Sequence, residues 1–214
     1  MKPLSVSLLA VAIVSIYLLT SCDSTPKAGE GASTTAPAAP VKPPQPYTGL
    51  QAFSCISGLA QKWSPDVIPV RLESQPNSEA NGQGGKSTVW KAGFISPSRR
   101  KLKYFYCSGS RLKESPPYGP SAGSEEPYGS DVPALGFQSL FLKTDSDKAF
   151  AVAQEHGGAN LIKKNPDQVV TYFVLWNQKQ QALHWYVMYG KDKESAAGTG
   201  IVNALTGVYV GIGK

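Results

Sequence analysis

Nothing before Tyr47 is suited to a folded core, which confines whatever this 214-residue chain folds into to the part that follows. Lys2 gives a positive start, Leu4 to Leu19 is an apolar run broken only by serines and a tyrosine, and small residues lead into Cys22. Charged, apolar and small-residue regions in that order read as a secretory signal over residues 1–21. The apolar run falls short of the roughly 20 residues a membrane-spanning helix needs. Residues 22–46 then hold six prolines, five alanines and no aromatic. Such a segment buries too little apolar surface to offset its ordering entropy, so a disordered tether is expected. About 170 residues remain, enough for one ordinary domain or two small ones.

With a cysteine in the cleavage slot, Leu19-Thr20-Ser21-Cys22 resembles a bacterial lipoprotein signal. The resemblance implies that Cys22 is lipidated, becomes the new N-terminus and anchors the protein on the extracytoplasmic side of the cell envelope. Proline keeps the tether extended, and at ~3.1 Å per residue it holds the domain up to roughly 70 Å from the bilayer. Asp23 fits inner-membrane retention under the rule of enteric bacteria, which leaves inner and outer membrane both open. The net charge of +6 includes Lys2, which leaves with the signal. Export argues against nucleic acid, so the surplus favours anionic membrane surfaces or acidic envelope polymers.

Export also sets the cysteine chemistry. With Cys22 assigned to lipid, Cys55 and Cys107 are an even pair in an oxidising compartment. Either they are bridged, closing a loop of about 50 residues worth roughly 2–4 kcal/mol, or they are two buried small hydrophobes. No metal site is expected: zinc's paired cysteine spacing is missing, and only His156 and His184 add nitrogen ligands.

From Tyr47 the pattern becomes regular. Thr48 and Gln51 fit a capping box, and Ala52, Ile56, Leu59, Ala60 and Trp63 recur at helical spacing up to Ser64-Pro65. Val67–Leu72 reads as a strand, placed at a sheet edge by Pro69. After the polar loop 75–86, Thr88–Ile95 and Leu102–Cys107 read as a hairpin around Ser96-Pro97-Ser98-Arg99. Residues 108–144 read as an irregular connector, with Tyr118 and Tyr128 as its packing residues. Asp145 then caps a helix ended by Gly157-Gly158. Strands follow at Val169–Trp176, Leu183–Tyr189 and, around Thr206-Gly207, within Gly200–Val210. Both halves spell helix, strand, tryptophan-bearing strand and hairpin partner, so an internal duplication is expected, with no single large core.

The second half carries a family resemblance. The alanine-rich run from Asp145, Gly157-Gly158, Trp185-Tyr186-Val187 and Val202-Asn203-Ala204-Leu205-Thr206-Gly207-Val208 together resemble a PepSY-like domain. Residues 145–214 form the good match and 47–107 a looser one, lacking the final Ala-x-Thr-Gly. Asn203 stands where the family more often has aspartate. The resemblance implies an α+β fold of two tandem units, each one helix packed on a small antiparallel sheet. It further implies no catalysis, no catalytic residues and no cofactor. Family members occur as inhibitory or folding-assisting propeptides and as envelope lipoproteins.

The remaining motifs have bland explanations. Gly82-Gln-Gly-Gly-Lys-Ser87 glances toward a phosphate loop, but Ala80 holds the place of the required glycine and a strand follows. Ser98-Arg99-Arg100-Lys101 matches Ser-x-x-Lys within a turn, where that catalytic serine would need a helix start. Arg99, Arg100, Lys101 and Lys103 read as a solvated turn guarding a sheet edge, or as a contact for a membrane surface. His156 suits a helix C-terminus, and Asp145 and Asp147 suit an N-terminus. Trp63, Trp90, Trp176 and Trp185 read as core. The expected function is non-catalytic binding of an envelope protein partner that modulates a peptidase or an assembly step, with Val67–Leu72 as the edge for a partner's strand. The alternative is a small-molecule or lipid-binding lipoprotein with a cavity between helix and sheet.

Overall fold

The computed structural model describes residues 42–213; the signal segment, Cys22 and nearly all of the tether lie outside them. A two-residue strand β1 (Tyr47–Thr48) leads into α1 (Gly49–Trp63), and the capping box is present in full: Gln51 N–H donates to Thr48 Oγ1 and Thr48 N–H to the Gln51 side chain. β2 (Ile68–Ser74), the two-residue β3 (Lys86–Ser87, paired with β1), β4 (Val89–Ser96), β5 (Lys101–Ser108) and β6 (Gly119–Pro127) follow. The second half comprises α2 (Ser146–Ala153), a π-helical turn (Gln154–Gly158), α3 (Ala159–Lys164) and the strands β7 (Thr171–Asn177), β8 (Ala182–Met188), β9 (Thr199–Asn203) and β10 (Tyr209–Ile212). These residues, from Lys42 on, form one unit containing its own core and the Cys55–Cys107 disulfide.

The fold is α+β, but two separate small sheets are not what forms. The strands join into one eight-stranded antiparallel sheet in the order β10-β9-β8-β7-β2-β4-β5-β6. Each half is a helix followed by a four-stranded meander, and β2 and β7 fuse the meanders through Leu72↔Val174 and Glu73↔Phe173. The expected edge strand is therefore internal. Pro69 is tolerated because it lies at the start of β2, ahead of the stretch that β7 reaches, beside a register shift against β4. Its carbonyl accepts from Phe137 N–H at 3.0 Å instead. The second half also has two helical segments rather than one. Gly157 takes φ 106°, which breaks the helix, and the chain restarts as α3 instead of stopping. Segment 108–144 contributes β6, which lacks every usual strand signal except that its prolines sit near its two ends.

Because the sheet is continuous, its helix-covered face buries one large core drawn from both halves, where two smaller ones were expected. Trp90 and Trp185 meet edge-on at its centre, 6.2 Å apart, with Tyr172 at 6.1 Å from the first and 6.5 Å from the second. Each indole N–H donates to the carbonyl just before its own half's helix cap: Trp90 to Tyr47 O at 2.9 Å, Trp185 to Thr144 O at 2.8 Å. The caps then bond to each other. Thr48 Oγ1 donates to Asp145 Oδ2 at 2.7 Å, Leu50 N–H donates to Asp145 Oδ1 at 2.9 Å, and Gly49 N–H donates to Ser146 Oγ at 2.7 Å. One carboxylate thus satisfies orphan donors at the starts of two helices. A smaller cluster of Val70, Ile95 and Leu102 is packed by Tyr128 and Val132.

Candidate functional site

A strand at a sheet edge leaves N–H and C=O groups unpaired, and natural edges are guarded by charge, proline or bulges. The two edges of this sheet differ in that respect. β6 carries prolines near both ends, Glu125 and Glu126, and a register shift against β5 between Lys103 and Phe105. β10 reads Tyr-Val-Gly-Ile, with neither charge nor proline. Its short length and one register shift limit the edge without closing it. Val208, just before β10, is 63% exposed and Ile212 at its end 76%.

Next to that edge, on the face away from the helices, lies a groove of about 480 Å³. Phe173 and Leu175 of β7, Tyr186 of β8, Ile201 of β9 and Ile212 of β10 are among its apolar lining, with Lys193 in the wall and Arg71 of β2 at the far end. Glu73 accepts from Arg71 Nε and lies 3.5 Å from Lys91 Nζ. On the opposite face, α1 and α2 close over Trp90, Trp185 and Tyr172, so the core fills the space where the alternative reading places a helix–sheet cavity. What opens there is a crevice of about 230 Å³ at the π-helical turn, lined by Ala153, Gly158, Tyr189 and Tyr209.

The residues singled out from the sequence are dispersed. Cys55 on α1 and Cys107 on β5 form a disulfide, which decides between bridged and free thiols. The basic cluster is split: Arg99 and Lys103 both pair with Glu125, at 3.2 and 3.6 Å, and both lie over the Trp63 ring. The Trp63 indole N–H donates to Glu125 at 2.7 Å and, with those cations beside it, holds that carboxyl below its ordinary value. Arg100 is exposed at the tip of the turn with φ 54°, and Lys101 begins β5. Ser98 sits in that turn, its N–H donating to Asp66, and not at a helix start.

Gly82–Ser87 is a structural loop. Tyr172 Oη accepts from Gly85 N–H at 3.1 Å and donates to Gly82 O at 2.7 Å, so these two main-chain groups of the loop face the core. A Cβ on Gly85 would lie 2.3 Å from Asp147 Cα, because the loop packs against the start of α2. His156 stacks on Tyr209 at 3.8 Å, tying the π-helical turn to β10. His184 is buried in β8, and burial lowers its pKa. Among the described residues no group of three His, Cys, Asp or Glu is placed to hold a metal ion, and no helix is long and apolar enough to cross a membrane.

The edge and groove residues had escaped the sequence reading. Phe173 reads as ordinary strand, the last strands are read to end at Val210, and only the strand order shows which residues lie at an edge or on the helix-free face. No protein-family model matches the chain, and neither a curated protein nor a solved structure matches it.

Proposed function

We propose that this is a lipid-anchored, extracytoplasmic envelope protein of PepSY-like type that acts without catalysis, by binding an envelope protein partner at β10. The address rests on the signal pattern ending in Cys22 and on the proline-rich tether. The helix-then-meander order, present twice, supports two PepSY-like units joined edge to edge. The observation that carries the binding reading is the contrast between the edges: β6 is charged and proline-bearing, while β10 is apolar and exposed. A partner's extended segment would continue the ladder through its main chain and place alternate side chains beside Val210 and Ile212.

A photo-crosslinking residue at Val210, and another at Ser121 on β6, in cells making the full chain tests this. Reproducible capture of one envelope protein from position 210 and not from 121 is the expected result. No reproducible partner, or equal capture from both edges, overturns it.

Contact of the basic turn with anionic membrane is the companion proposal, narrowed to Arg100 and Lys101 because Arg99 and Lys103 are paired with Glu125. Exchanging Arg100 and Lys101 for glutamine should reduce the salt sensitivity of binding to anionic vesicles. Unchanged salt dependence would sink it.

A further inference from the structure

The groove on the helix-free face differs from a strand-addition site, because it runs across the strands. From Ile212 on β10 to Arg71 on β2 there are four strand steps, or about 19 Å at the usual spacing. Its floor is apolar, and the main-chain groups between β7 and β8 and between β8 and β9 beneath it are paired along both ladders. A peptide lying across such a floor would leave its own N–H and C=O groups unpaired. An acyl chain has none to pair.

The Arg71 end is built for an anion. The Glu73 carboxylate holds its Nε, and its guanidinium lies 4.9 Å from the Phe173 ring centroid. Both contacts fix the plane of the group. The two terminal nitrogens donate to no described residue, and the side chain is 39% exposed. That leaves the two-toothed edge that matches a carboxylate facing outward. Arg71 and Lys91 share one carboxylate, Glu73, and the groove's lining holds the cations Arg71 and Lys193 and no acid.

We propose that this groove binds a single-chain amphiphilic carboxylate, its acyl chain lying across β7, β8 and β9 and its headgroup on Arg71. The volume falls within the range of small-ligand sites. The site shares Ile212 with a strand added at β10 but differs from it in using side chains of the sheet face and no open main-chain edge.

The test uses residues 42–214, a unit with its own core and disulfide, produced in an oxidising compartment. cis-Parinaric acid and its methyl ester are titrated by fluorescence below their aggregation concentrations, with palmitate as competitor. The acid should bind saturably and be displaced by palmitate. Arg71→Gln should weaken the acid about tenfold and leave the ester unchanged, as expected for loss of a charged hydrogen-bonded pair. Leu175→Glu should abolish both, with melting temperature as the check on folding. If that variant fails to fold, the acid–ester comparison in R71Q still decides. No saturable binding, or equal binding of acid by wild type and R71Q, overturns the proposal. So does Arg71-dependent binding to phosphatidylglycerol vesicles without binding of the free acid, which would make the source a membrane headgroup.

Discussion

Removing the Cys55–Cys107 bridge gives the most quantitative test of how this fold is held. The bridge ties α1 to β5 over a sequence separation of 52 residues. In the chain-entropy account a loop of that length is worth about 4 kcal/mol at 25 °C, because the cross-link restricts the unfolded chain. Cys107 is 1% exposed within the main core, so Cys55→Ala/Cys107→Ala also loses packing worth about 1 kcal/mol. For a domain of this size each kcal/mol moves the melting point by roughly 2–4 °C. The double variant of residues 42–214 should therefore melt about 10–20 °C lower than the oxidised protein. Reduced wild type should fall slightly less, since it keeps both sulfurs in place. Urea titrations should show a larger m-value for both, as the unlinked unfolded chain exposes more surface. A loss below about 1 kcal/mol on reduction, with unchanged m, would refute the claim that the bridge acts on the unfolded state.

Three further outcomes follow from the same packing. Gly85→Ala meets a φ of 77° and the backbone of Asp147, so it should cost more than about 3 kcal/mol or prevent folding; a wild-type melt would remove the structural role given to this loop. Tyr172→Phe should cost about 2–3 kcal/mol in urea unfolding, because the Gly85 N–H and Gly82 carbonyl lose their buried partner. Hydrogen bonds from Ser64 Oγ, Ser98 N–H and Ser96 Oγ hold the Asp66 carboxyl well below its usual range. Its folded-state pKa is depressed, so its contribution is present above the unfolded value of about 4 and is lost as pH falls below that. Asp66→Asn should flatten that part of the acid side of the stability curve, and an unaltered acid slope would argue against the assignment.

How much was legible depended on the range of the interaction. Thr48 and Gln51 cap α1 as their spacing indicates, and the β4–β5 hairpin forms where alternation and the Pro97 turn place it, because both are decided within a few residues. The order helix, strand, tryptophan-bearing strand and hairpin partner was readable in both halves for the same reason. β6 was not, since Gly119–Pro127 has no strand propensity and is held by the ladder that β5 offers it. Nor was the position of β2: Pro69 argues for an edge when read alone, and only the stagger of β7 past it makes an internal place possible. The candidate site was hidden because a groove across strands draws on residues from five separate strands and the loop before β9.

From its own residues the chain determines its helix caps, its hairpins, its repeated order and the pair of cysteines able to bridge. Each of these is a local pattern or a matter of compartment chemistry. Tertiary structure decides that the two meanders fuse into one sheet and that Trp90 and Trp185 share one core. It also commits Arg99 and Lys103 to Glu125 and leaves Arg71 facing outward. Those outcomes depend on which strands find each other across about 100 residues of sequence. The pairing is selected by the apolar surface that the continuous face buries, and no local pattern records it.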